Sequence, residues 1–136
     1  MMTAMNKNVT DATILVVDEY PSLCDLIEII LARVGYGVLT ARNGHDALEL
    51  AQEAPRIDLA VINAELPSMR GDELALLVAE LHPAVGVVFL STSNEMIRFD
   101  RAYELLVKPF TVEELRNAVR RALRVRQAAT GMLHAA

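Results

Sequence analysis

The chain has 136 residues, 53% of them hydrophobic and 23% charged, and a formal net charge of −5. That length makes one domain, that composition is globular, and the negative charge argues against nucleic acid or an anionic membrane as the main partner. The single cysteine, Cys24, excludes an internal disulfide and a cysteine-rich zinc site and suits a reducing compartment. No run approaches a membrane span, and residues 1–11 lack the apolar stretch of a signal peptide. The expected organisation is a loose tail at 1–11, one domain over 12–126 and a second tail at 127–136, in the cytoplasm.

The elements follow in order. TILVV (13–17) is a short, β-branched run, apolar on both faces, and so are YGVLT (36–40), LAVI (59–62), VGVVFL (85–90) and LLV (105–107). Such runs suit strands of a parallel sheet covered on both sides. After the first, Leu23, Leu26, Ile27, Ile30, Leu31 and Val34 step at helical spacing, and Cys24 is expected as a small buried hydrophobe among them. Gly35 follows as a C-cap. Asn43 caps a second helix through Ala47, Leu48 and Ala51, bounded by Pro55. Leu74, Leu77, Val78 and Leu81 mark a third helix, which stops before Pro83. The last helix opens on a capping box, Thr111 with Glu114, and turns Val112, Leu115, Val119 and Leu123 inward. Arg116, Arg120, Arg121, Arg124 and Arg126 form its solvated basic face. His45, His82 and His134 show no metal-ligand spacing and are expected to face solvent.

Five alternations of strand and helix predict a doubly wound α/β domain with helices on both faces. The site then belongs at the carboxyl ends of the strands. The first strand delivers Asp18 and Glu19 there, the third Asn63, the fourth Ser91 and the fifth Lys108, followed by Pro109. Acids, a hydroxyl and a lysine on one edge would suit a divalent cation and a phosphoryl group.

With these tips in place, the sequence resembles the receiver domain of two-component response regulators. ILVVDEYPSL is similar to that family's first strand and acidic pair, ARNGHDALEL to the entry into its second helix, DLAVINAELPSMRG to its third strand and loop, and LVKPFTVEEL to its lysine–proline motif and last helix. The resemblance implies a five-stranded parallel sheet of order 2-1-3-4-5. It also implies phosphate transfer from a histidine kinase to an aspartate at the third strand tip, with Mg²⁺ held by that aspartate and the acidic pair. Carried over by position, Asp18 and Glu19 take the acidic pair, Ser91 and Lys108 the phosphoryl pocket, and Glu65 the place that offers a backbone carbonyl to the metal. Leu105 takes the aromatic switch position, and the phosphoacceptor position falls on Asn63.

An amide is neutral and its nitrogen lone pair is delocalised, so Asn63 does not form a stable acyl phosphate. It also removes one anionic ligand, which weakens Mg²⁺ binding at Asp18, Glu19 and Glu65. Leu105 offers no aromatic alternative, and Tyr103 shares its sheet face only if the fifth strand starts that early. SNEMIRFDRAYE, between the fourth and fifth strands, is short by roughly a helical turn, so the helix there should be stunted or irregular. The expected function is therefore that of a degenerate receiver, not an enzyme, which binds a signalling protein (a histidine kinase or other regulator) or itself. The alternatives are a responsive receiver with Glu65 or Ser68 as acceptor or with Asn63 deamidated, and a flavodoxin-like nucleotide binder or enzyme. The last lacks a glycine-rich loop after the first strand.

Overall fold

The computed structural model describes residues 11–135, with side chains described through residue 125. Strands β1 (Thr13–Val17), β2 (Gly37–Ala41), β3 (Leu59–Asn63), β4 (Gly86–Ser91) and β5 (Glu104–Val107) form one sheet. All neighbours run parallel, in the order β2-β1-β3-β4-β5. Helices α1 (Pro21–Val34), α2 (Gly44–Glu53), α3 (Gly71–Leu81) and α4 (Val112–Ala135) complete the chain. The doubly wound reading holds in strand order, direction and helix placement.

Side chains alternate across each strand, so the sheet divides the interior into two cores. Ile14, Val16, Val61, Val88 and Leu90 face Ile27 and Leu31 of α1 and Leu115, Val119 and Leu123 of α4. Leu15, Val17, Ile62, Val87 and Phe89 face Ala47 and Ala51 of α2 and Leu74 and Val78 of α3. Every residue of β3 is buried, so both of its faces are covered. Cys24 is buried on α1, as expected. Burial, with the negative charge of Asp18 second, pushes its thiol pKa up.

Local signals set the helix ends. Gly35 closes α1 at φ 115°, a left-handed conformation that glycine adopts without a Cβ penalty. Asn43 Oδ1 accepts from Asp46 N at 2.8 Å to start α2. Thr111 Oγ1 accepts from Glu114 N at 3.0 Å, and Glu114 Oε1 accepts from Thr111 N at 2.8 Å, completing the capping box of α4.

Several expectations are corrected. Leu26 is half exposed, because it sits about 100° around α1 from the inward Ile27. Leu81 and Val112 are also exposed, one as the last residue of α3 and the other as the first of α4. His82 does not face solvent freely: it is half-buried, and its Nε2 lies 2.8 Å from the carbonyl oxygen of Ala51, tying the end of α3 to α2. His45 is exposed, as expected. Helix α4 runs on to Ala135. The 1–10 part of the N-terminal tail and the side chains of Arg126 and His134 lie outside the described residues.

The connection from β4 to β5 was expected to hold a stunted or irregular helix. It is irregular throughout, with no helix over residues 92–103. Side chains do the work that helical backbone bonds would do elsewhere. Ser91 Oγ accepts from Ser93 N at 3.1 Å, and Ser93 Oγ accepts from Glu95 N at 3.0 Å. The Tyr103 hydroxyl accepts from Ile97 N at 2.9 Å and donates to Ile97 O at 3.1 Å. Phe89, Phe99 and Tyr103 pack edge to face, with centroids 5.3 Å from Phe89 to each of the other two. An aromatic cluster thus covers the sheet where a helix was expected.

Candidate functional site

The carboxyl ends of β1, β3, β4 and β5 converge because the strands are parallel and in register. Asp18 follows β1 directly and is fully buried, and its amide donates to Ala41 O at the end of β2. Its Oδ1 accepts from Tyr20 N at 2.9 Å, and its Oδ2 accepts from Lys108 Nζ at 3.0 Å. Lys108 reaches it from the end of β5, where its own amide donates to Ser91 O at 2.8 Å. The Lys108 ammonium also lies 5.5 Å from the centroid of the exposed Tyr20 ring, a cation–π distance. The Lys108–Pro109 peptide is cis.

Asn63 is the last residue of β3 and is 2% exposed. Its Oδ1 accepts from Glu65 N at 3.2 Å, closing a turn over the strand tip. Gly71, at the start of α3, lies against this turn. A Cβ there would come 2.5 Å from Asn63 O and 2.7 Å from Ala64 Cα, so only glycine lets the helix begin so close to the strand. Ser91 ends β4, is 3% exposed, and its hydroxyl donates to Glu65 Oε2 at 2.7 Å. Glu65 itself is exposed and Glu19 half-buried.

The structure therefore brings Asp18, Asn63, Ser91 and Lys108 together at one edge, with Glu65 bridging from the β3–α3 loop and Glu19 beside Asp18. Its electrostatics differ from an open cation site. One Asp18 oxygen is held by an ammonium and the other by an amide, Asn63 Oδ1 is held by an amide, and one Glu65 oxygen by a hydroxyl. Mg²⁺ prefers near-octahedral oxygen ligands and one or two uncommitted carboxylates. These residues fit a resident Mg²⁺ ion poorly, since the central ligand is neutral and the deepest carboxylate is already paired.

One contact was missed by sequence reasoning: the Glu65 carboxylate, expected only to offer a backbone carbonyl, reaches Ser91, 26 residues away. Tyr103, expected to share the sheet face of Leu105 only if the fifth strand began early, precedes β5 and packs on the same core. Leu105 is half-buried against that core.

Residues 14–120 match the model of the response regulator receiver domain. The chain is 32% identical over 118 residues to the response regulator protein PilR of Pseudomonas aeruginosa, covering 82% of this chain and 26% of PilR. It is also 32% identical over 127 residues to the alkaline phosphatase synthesis transcriptional regulatory protein PhoP of Bacillus subtilis, covering 88% of this chain and 50% of PhoP. The chain thus spans half or less of the length of these two curated relatives. Chemotaxis protein CheY4 of Vibrio cholerae superposes with a TM-score of 0.76 at 30% identity, covering 83% of this chain and 99% of that one. The sheet order and these likenesses agree: the chain belongs to the response regulator receiver domain family of two-component signal transduction.

Proposed function

We propose that this receiver domain signals by protein–protein contact, without a phosphorylation switch of its own at the third strand tip. One observation carries the reading. The residue at the end of β3 is a buried, neutral amide whose oxygen is engaged by Glu65 N at 3.2 Å. A carboxylate there would carry the charge with which to attack phosphorus; Asn63 is neutral, its nitrogen lone pair is delocalised, and its oxygen accepts from Glu65 N. Asp18 and Lys108 pair with each other at 3.0 Å. The partner would be a signalling protein, a kinase or another regulator, or a second copy of the chain, in the cytoplasm. Among the described residues no helix is long and apolar enough to cross a membrane.

Incubation with acetyl phosphate and Mg²⁺, followed by intact mass spectrometry, tests the reading. Unmodified protein is the expected result. A phosphoryl-sized mass increase that survives at neutral pH would overturn it, and peptide mapping would then place the acceptor at Glu65, Ser68 or elsewhere.

A further inference from the structure

The hydrogen bonds around Glu65 form a continuous path between two loops. Asn63 Oδ1 fixes the Glu65 amide at 3.2 Å, and the Glu65 carboxylate accepts from the buried Ser91 hydroxyl at 2.7 Å. Ser91 Oγ in turn accepts from Ser93 N, and Ser93 Oγ accepts from Glu95 N. The bond from Ser91 has the length of a charge-assisted O–H···O⁻ contact, the stronger class of hydrogen bond. Its donor is 3% exposed, so losing the acceptor would leave a buried hydroxyl proton unpaired.

In the near part of the segment the amides of Ser93 and Glu95 bond to side-chain oxygens on this path, while Tyr103 and the Phe89–Phe99 contact hold the far part. Residues 92–103 have no helix, and their amides at 93, 95 and 97 are satisfied by side-chain oxygens of Ser91, Ser93 and Tyr103. Orientation of the Ser91 hydroxyl therefore decides whether its oxygen lone pairs face Ser93 N. The Glu65 carboxylate sets that orientation by taking the proton on the opposite side.

We propose that Glu65 is a positioning residue whose carboxylate acts as a built-in anion for Ser91 and thereby holds the β4–β5 connection in one arrangement. This rests on the reading that Asn63 carries no phosphoryl group, since a phosphoryl group at that tip would compete for the same hydroxyl. The device makes the surface after β4 a constant feature of the chain. An intramolecular carboxylate supplies permanently the negative acceptor that a modification would supply only transiently.

Residue-resolved hydrogen exchange on the full chain tests it, using Glu65→Ala, Glu65→Gln, Ser91→Ala and the Glu65→Ala/Ser91→Ala double variant. Glu65→Ala should speed exchange of the Ser93 and Glu95 amides at least about tenfold while leaving β1 and β3 unchanged, since such local openings are independent of global unfolding. Glu65→Gln, whose amide oxygen still accepts but carries no charge, should recover only part of the protection, and full recovery would overturn the role given to the anion. The double variant should match Ser91→Ala alone, because the two residues act through one bond. Exchange at Ser93 and Glu95 within about twofold of the parent in Glu65→Ala, or additive effects in the double variant, would overturn the proposal. Acetyl phosphate treatment of the parent chain is read separately by mass. An adduct there counts against the phosphate-free reading, and the exchange data count for or against Glu65.

Discussion

Asn63 differs from aspartate by one heavy atom, and the consequences are electrostatic before they are steric. Counting Asp18, Glu19 and Glu65 as anions and Lys108 as a cation, the tip carries three negative charges against one positive, where an aspartate at position 63 would make four. Asn63→Asp should therefore raise Mg²⁺ affinity at least about tenfold, because charge count tunes such sites. Isothermal titration of the two forms measures this, and equal affinities would show that position 63 is not what weakens the site. The identity of residue 63, and its place at the strand end, were legible in the sequence. The engagement of its Oδ1 by Glu65 N, which keeps the amide in one orientation, was not, because it depends on the turn that Gly71 permits.

At the scale of the element, the shortness of the β4 to β5 segment was legible and pointed to a stunted or irregular helix. The structure has none, and the reason lies in the polar spacing of Ser91, Ser93 and Tyr103, whose oxygens capture backbone amides that a helix would need. The Tyr103 hydroxyl bonds both backbone groups of Ile97, so Tyr103→Phe should cost about 1–2 kcal/mol from the two lost bonds, read as a lower urea midpoint at unchanged slope. Tyr103→Leu, which also removes the ring from the Phe89 and Phe99 cluster, should cost more. If Tyr103→Phe were neutral, the ring contacts alone would hold the segment. Helix ends fared better: Gly35, Asn43 and the Thr111–Glu114 box each act within a few residues, so their chemistry is visible in the chain itself.

Across the whole molecule, a single sheet separates two cores but joins them covalently and by hydrogen bonds. Leu74 on α3 and Leu115 on α4 are both fully buried, on opposite faces. Leu74→Ala and Leu115→Ala should each cost about 2–5 kcal/mol. In combination they should add to within about 0.5 kcal/mol, since they share no partner. Denaturant unfolding followed by both circular dichroism and Tyr fluorescence should remain one transition in each variant. Divergent midpoints would mean that the two faces unfold separately.

The order of strands and helices, the two-sided burial of the sheet, and the arrival of Asp18, Asn63, Ser91 and Lys108 at one edge were all determined by the sequence alone. Apolar runs and helical spacing report which elements form, and parallel winding then places every strand end on the same side. Only the tertiary structure decided the other distant pairings of polar groups: Ser91 with Glu65 across 26 residues at that edge, and His82 with Ala51 across 31 between the ends of α3 and α2. Periodicity records how each residue faces its own element's neighbours. Pairing between side chains depends on strand register and loop path to within an ångström, and no local pattern in the chain carries that information.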